Sequence, residues 1–206
     1  MNQIRGLVLE YGIAFRKGKG SIEENLPKAI STNENELTSM SKALFTELLA
    51  ELRQTKEKLA EYDQKILAIH KAHPVCQRLV TIPGVGPLTA TAIIAMVGDP
   101  GAFENGRHLS AYLGLVPRQH STGGKDRLLG ISKRGDPYIR MLLIHGARTV
   151  LRWVDQKEDS KSQWLKKLIE RRGMNKATVA LANKNARVIW ALMARNEKYR
   201  EPEKAA

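Results

Sequence analysis

The segment from Gly114 to Ala147, GLVPRQHSTGGKDRLLGISKRGDPYIRMLLIHGA, concentrates charged and hydroxyl side chains in a stretch interrupted by glycines. It holds six Lys and Arg residues against two Asp residues. Such a pattern is typical of anion binding, because guanidinium and ammonium groups pair with phosphate oxygens and glycines let the backbone approach closely. The residues alone favour a phosphate cradle over a solvated basic surface.

The overall composition also indicates a polyanionic partner. The 206 residues carry a formal net charge of +13, with a sequence pI of about 10. This excess favours nucleic acid over an acidic membrane surface. No apolar run reaches the ~20 residues that span a bilayer, and the opening MNQIRGLVLEYG is too short in its apolar part for a signal peptide. The single cysteine, Cys76, fits a reducing cytoplasm and is interpreted as a small buried side chain. We therefore expect a cytoplasmic protein with no membrane partner.

Hydrophobic spacing predicts an all-α fold, with no strand of more than a few residues. Aromatic residues make up only 5% of the chain, against 42% hydrophobic residues in total, which suits helices better than a β-sandwich. The predicted architecture is a long coiled-coil arm and a compact helical domain. The predicted segments are an N-terminal helix and loop (1–33), the coiled coil (34–72), a central domain (75–155) and basic C-terminal helices with a frayed tail (156–206).

The coiled-coil prediction depends on a 4-3 apolar spacing in a stretch without Gly or Pro. A single helix packed on its own domain is the alternative, and the narrow stripe within a highly charged sequence favours pairing between chains. The stripe consists of Ser41, Phe45, Leu48, Leu52, Thr55, Leu59, Tyr62, Ile66 and Ile69.

The sequence LVTIPGVGPLTATAIIAMVGD predicts a helix-hairpin-helix. Gly84 and Gly86 permit a tight turn, and Pro87 is a favoured first-turn residue for the second helix. Backbone amides at that helix start are predicted to hold one phosphate oxygen of DNA. A tight interhelical turn without a ligand is the alternative interpretation.

These motifs together resemble the C-terminal transposase domain of the insertion sequence 110 family. The resemblance covers nearly the whole chain, and its longest ordered matches are GLVPRQHSTGGK and ISKRGDPYIRMLLIHGAR. It implies DNA transposition and recombination by an enzyme that uses a serine on this domain and four magnesium-binding carboxylates on an N-terminal RuvC-like domain. It also implies homo-oligomers formed through the coiled coil and, in some members, a structured guide RNA.

The family's serine segment aligns with STGGK at Ser121–Lys125, so the resemblance implies that Ser121 is the nucleophile. A serine hydroxyl needs a base or charge stabilisation to react, and nearby cations would supply the latter. His120 is interpreted either as a proton relay or as a phosphate contact, and Ser132 is a rival hydroxyl that fits a helix-entry turn better. The predicted DNA-binding side chains are Arg118, His120, Lys125, Arg127, Lys133, Arg134 and Arg140.

The sequence departs from the family pattern because it begins where the RuvC-like domain is expected to have ended. We therefore expect no metal site and no cofactor on this chain, with magnesium belonging to the missing domain. Whether the chain is an enzyme is left open. One hypothesis is the serine-bearing half of a recombinase that needs carboxylates from another chain. The other is a non-catalytic helix-hairpin-helix DNA-binding remnant or an inhibitor of the full-length transposase.

Overall fold

A computed structural model describes residues 1–18, 20–32, 37–120 and 127–200. The chain divides into two compact units, Met1–Gln64 and Lys65–Ala206. Helices dominate both units, which confirms the predicted fold class. Within the described ranges, no helix combines the length and the apolar character needed to cross a membrane.

The first unit packs two short helices against the start of a long one. These are α1 (Asn2–Leu9), α2 (Ser21–Ser31) and α3 (Ser39–Ala72). The sequence predicts one helix and a loop for residues 1–33, so α2 is an additional helix. The sequence did not indicate this helix, because it is short, contains Pro27 and has only two buried apolar residues, Ile22 and Leu26.

The apolar stripe of α3 is divided between two environments. Ser41 and Phe45 are buried in the first unit, where the ring of Phe45 lies edge-on to Tyr11 with ring centroids 6.0 Å apart. Further along, Leu59 and Tyr62 are 60% and 61% exposed. The first part of the stripe therefore packs within its own unit, as the alternative interpretation required, and the coiled coil remains a prediction for the exposed part.

The second unit begins within α3, and its described residues form six further α-helices. Proline stands in the first turn of three of them, at Pro74, Pro87 and Pro137. This position suits proline because its fixed φ matches a helix and the missing N–H would have no partner there. The helices are α4 (Pro74–Leu79), α5 (Pro87–Val97), α6 (Gly106–Tyr112), α7 (Pro137–Arg152), α8 (Ser160–Arg172) and α9 (Met174–Arg195).

The core of this unit surrounds α9, which packs against α6, α7 and α8. Apolar side chains that are almost fully buried fill it from every helix. Cys76 is part of this core at 1% exposure, which confirms the interpretation as a buried side chain. Burial raises the pKa of its thiol, so the reactive thiolate is disfavoured.

A small β-hairpin interrupts the helices inside the basic segment. Strand β1 (Pro117–Gln119) pairs antiparallel with β2 (Leu128–Ile131), with Pro117 opposite Ile131 and Gln119 opposite Leu128. The sequence predicts no particular strand here, only that no strand exceeds a few residues. The strands have three and four residues and are mostly exposed on both faces, so they lack the alternating pattern that identifies a strand.

The N-terminus of α8 provides a pH-dependent contribution to stability. Asp159 caps this helix, accepting hydrogen bonds from the amide of Ser162 at 3.0 Å and from its hydroxyl at 2.6 Å. Burial by itself raises the pKa of the Asp159 carboxyl. The hydrogen bonds from Ser162 and the charge of Lys161 outweigh it, so the pKa lies below its ordinary value of 3.8.

Because the folded-state pKa is lowered, the Asp159 contribution is present above the ordinary value and is lost as pH falls through the folded value. Asp159→Ala is expected to lower the free energy of unfolding at neutral pH by about 1 kcal/mol, the usual loss for an N-cap. Asp159→Asn retains a capping oxygen but cannot titrate. The difference in unfolding free energy between wild type and Asp159→Asn, measured in urea, should shrink as the pH drops below 3.8. A pH-independent difference would contradict the assignment.

Candidate nucleic-acid interface

The β-hairpin brings together the two ends of the segment that contains Ser121. The amide of His120 donates a hydrogen bond to the carbonyl oxygen of Arg127 at 2.9 Å. Both side chains are exposed, as is that of Arg118 on β1. Two predicted site residues, Ser121 and Lys125, lie outside the described residues. The described residues on either side of this segment are therefore joined by a backbone hydrogen bond at the loop end of the hairpin, where Arg118 and Arg127 are exposed.

The open end of the hairpin continues into a tight turn, Ser132–Gly135, which we name the basic turn. The amide of Ser132 donates to the carbonyl of Val116 at 2.8 Å, and the amide of Lys133 donates to that of Gly114 at 3.2 Å. Lys133 has a φ of +57°, in the left-handed region that non-glycine residues seldom occupy. The side chains of Lys133 and Arg134 are exposed.

Two glycines make this turn possible by allowing backbone to pack directly on backbone. Gly114 and Gly135 have φ values of +67° and +70°. A Cβ atom on Gly114 would collide with the backbone of Arg134, and one on Gly135 would collide with the carbonyl oxygen of Tyr112. The basic turn is thus held against the C-terminal end of α6.

Arg140 of α7 also links the basic turn to the end of α6. Its Nη1 atom donates to the carbonyl oxygens of Leu113 at 3.1 Å and Arg134 at 2.7 Å. The half-buried Arg140 therefore supports the turn that presents Lys133 and Arg134. Its predicted contact with DNA remains a prediction.

The residues around the turn also begin α7. Asp136 caps that helix by accepting hydrogen bonds from the amides of Tyr138 at 2.7 Å and Ile139 at 3.1 Å. The hydroxyl of Ser132 lies 3.5 Å from the amide of Arg134. This geometry agrees with the helix-entry interpretation of Ser132.

The PGVG turn between α4 and α5 packs tightly on two other helices. Gly84 has a φ of +89°, and a Cβ there would lie 2.7 Å from the carbonyl oxygen of Gly146 on α7. From α9, the buried Asn185 donates its amide to the carbonyl of Pro83 at 3.0 Å. Gly86 caps α5 and has open space around its Cα. Gly84 therefore has a packing role in the structure, whereas its predicted role in DNA binding remains a prediction.

Comparison with known proteins identifies the family. The sequence profile described as "Transposase IS116/IS110/IS902 family" matches residues 76–165, from the helix before the PGVG turn to α8. The chain is 52% identical over 200 residues to the "Transposase for insertion sequence element IS1111A" of Coxiella burnetii, covering 97% of this chain and 55% of that protein. It is 35% identical over 191 residues to the "Transposase for insertion sequence element IS1328" of Yersinia enterocolitica, covering 93% of this chain and 56% of that protein.

The chain belongs to the IS116/IS110/IS902 transposase family. It spans about half the length of the curated relatives that it matches. The matched region contains every residue that the sequence analysis assigned to the site, including Ser121 and Lys125.

In the ranges 1–18, 20–32, 37–120 and 127–200, no group of three or more His, Cys, Asp or Glu residues could hold a metal ion.

The sequence offers little indication of the residues that support the basic turn and the PGVG turn. Gly114, Gly135 and Gly146 act through close backbone approach, which leaves no periodic signal in a sequence. Asn185 had a weak signal, because it is a polar residue on the mostly apolar buried face of α9 that includes Ala182 and Ile189. A buried amide in that position needs a partner, and the PGVG turn supplies one.

Proposed function

We propose that this chain binds the DNA backbone through the hairpin and the basic turn, and that it serves DNA transposition as part of a transposase. The observation that carries the proposal is the rigid support of exposed cations. Lys133 and Arg134 lie on a turn held by two glycines and by the Arg140 guanidinium. Arg118, His120 and Arg127 lie on the adjoining hairpin. Such groups add affinity and salt dependence through phosphate contacts.

We further propose that Ser121 is the nucleophile on a DNA phosphodiester. Its Oγ would form a bond to phosphorus and lose its proton, and the bond from phosphorus to one deoxyribose oxygen would break, leaving that strand end as a hydroxyl. Arg118, Lys125 and Arg127 would stabilise the negative charge on the non-bridging oxygens. His120 would either relay the proton or contact the phosphate. The backbone hydrogen bond between His120 and Arg127 supports this proposal, because it brings Arg127 back beside the residue that precedes Ser121 in the chain.

The helix-hairpin-helix would add a second phosphate contact. Gly86 has no side chain with which to cap α5, and Pro87 contributes no amide hydrogen. The following amides of the first turn would donate to a phosphate oxygen beyond the helix start. This contact would act on the duplex independently of the serine chemistry.

The proposed reaction needs partners. Because the family's carboxylates and their magnesium are expected on a RuvC-like domain, a second domain or chain would supply them. A homo-oligomer formed through the exposed part of the α3 stripe and a structured guide RNA are partners that the family resemblance supports. Acting on intracellular DNA, the protein would be cytoplasmic.

Duplex binding by a double variant of the basic turn tests the DNA-binding proposal. Lys133→Gln with Arg134→Gln is expected to reduce the slope of log affinity against log salt by about 1.8, because each phosphate contact contributes about 0.9. Fluorescence anisotropy of a labelled duplex across a salt series measures this slope. The matched control is Arg53→Gln with Lys58→Gln. These substitutions remove the same charge from two exposed side chains of α3. Equal losses in both double variants would reduce the basic turn to a contributor of net charge and contradict the proposal.

A further inference from the structure

A groove lies beside α9, whose residues from Asn175 to Ala191 make up much of its lining. It has a volume of about 1460 Å³, whereas pockets for small ligands occupy roughly 300–1,000 Å³. Strand β2 and the start of α6 line it together with α9, and Trp164 of α8 contributes an aromatic side chain. We name this feature the α9 groove. Its size fits a segment of polymer better than a single small molecule.

The surface of the α9 groove includes apolar side chains that are unusually open to solvent. Leu128 and Leu129 of β2 are 66% and 42% exposed, and Trp164 is 36% exposed. Val179 and Val188 of α9 add further apolar surface. Exposed apolar patches of this kind in a folded protein typically mark binding surfaces.

The charged side chains that line the groove are all cations. They are Arg107, Lys176, Lys184 and Arg187, and no Asp or Glu occurs among the described lining residues. The ammonium group of Lys184 lies 4.7 Å from the centroid of the Trp164 ring. This contact places the positive charge over one face of the indole at the groove wall. The occupant must therefore combine flat apolar groups with negative charge.

We infer that the α9 groove binds an unpaired DNA strand, with a base against Trp164 and the apolar surface and with phosphates near Lys184 and Arg187. Single-stranded DNA has the required combination, since every base exposes an apolar face and every nucleotide carries a phosphate. In a duplex the base faces are stacked inside, so the apolar lining would contact nothing. The inference rests on the proposed function, because it requires DNA to be held at the hairpin, whose strand β2 lines the groove.

Single-strand affinity of the full chain tests this inference. The probe is a fluorescein-labelled oligothymidylate of about 12 nucleotides, within the range of single-strand sites. Trp164→Ala is expected to weaken binding roughly tenfold, which lies within the range for loss of one base–aromatic contact. Trp164→Phe keeps a ring and should restore most of the affinity. Lys184→Gln with Arg187→Gln should lower the salt slope by about 1.4, since each single-strand phosphate contact contributes about 0.7.

A second tryptophan supplies the matched control. Trp153 is 49% exposed and also has a cation near its ring, with the Arg152 Cζ 5.8 Å from the centroid, but it does not line the groove. Trp153→Ala should leave oligothymidylate affinity unchanged. Urea unfolding of each variant separates loss of binding from loss of the fold.

Three results would overturn the inference. The first is wild-type oligothymidylate affinity in a folded Trp164→Ala variant. The second is an equal loss of duplex affinity in that variant, which would make the groove a duplex site. The third is an oligouridylate that binds more tightly than oligothymidylate through Trp164, which would assign the groove to RNA. Failure of the proposed function would instead appear in the basic-turn variants, whose duplex binding does not depend on Trp164.

Discussion

Replacing Ser121 with alanine is expected to abolish covalent attachment of this chain to DNA. The expected loss is complete, because alanine has no oxygen to form the bond to phosphorus, whereas removal of a supporting cation would only slow the reaction. The assay requires the carboxylates that the family resemblance places on a RuvC-like domain. A full-length family transposase would supply them, with its own aligned serine changed to alanine so that an adduct can form only on this chain. A labelled DNA strand that migrates slowly on a denaturing gel until protease is added measures the adduct.

Ser132→Ala is the matched control for this experiment. It removes the rival hydroxyl, which in the structure lies near the amide of Arg134 in the basic turn. We expect the adduct to form in this variant. An adduct that survives Ser121→Ala and disappears in Ser132→Ala would reverse the assignment.

The same experiment separates the two functional hypotheses. If the unmodified chain forms no adduct beside a competent source of carboxylates but still binds duplex DNA through the basic turn, the non-catalytic hypothesis holds. The chain would then act as a DNA-binding remnant or an inhibitor that enters full-length oligomers. An adduct dependent on Ser121 excludes that interpretation.

Gly146→Ala is expected to lower the free energy of unfolding of the second unit by about 1–3 kcal/mol, the usual cost of overpacking. Helix propensity alone predicts the opposite sign, since alanine in a helix interior is favoured over glycine by roughly 0.5–1 kcal/mol. The reason for the reversal is the contact with the PGVG turn. A Cβ on Gly146 would collide with the carbonyl oxygen of Gly84, and backbone cannot move aside as a flexible side chain can. Urea unfolding measures the change.

Gly6→Ala is the matched control for Gly146→Ala. Gly6 also lies inside a helix, α1, but a Cβ there would meet nothing within 4 Å. This variant should be stabilised by roughly 0.5–1 kcal/mol. A neutral or stabilising effect of Gly146→Ala would show that the turn and α7 separate readily, and it would remove the basis for a rigid hairpin between α4 and α5.

Local sequence signals predicted most of the helices of the second unit. Pro87 begins α5, as its first-turn preference predicts, and α8 and α9 occupy the segment predicted to hold the basic C-terminal helices. These signals work because they act on φ angles and on hydrogen bonds within one turn of helix. The short helix α2 and the β-hairpin lacked comparable signals, and α2 is held by the burial of Ile22 and Leu26 in the core of the first unit.

The roles within the candidate site depended on contacts between distant parts of the chain. The sequence marked Arg140 as a cation, but only the fold places its guanidinium on the carbonyls of Leu113 and Arg134. Likewise, only the fold brings Gly84 against Gly146.

By itself, the amino-acid sequence determined the helical class, the basic character and the family motifs, because composition, periodicity and short motifs are properties of neighbouring residues. The tertiary structure alone decided which glycines pack directly against backbone, which cations support the backbone and where exposed apolar and cationic side chains form a groove. Those properties depend on distances between atoms far apart in the chain, and packing sets such distances.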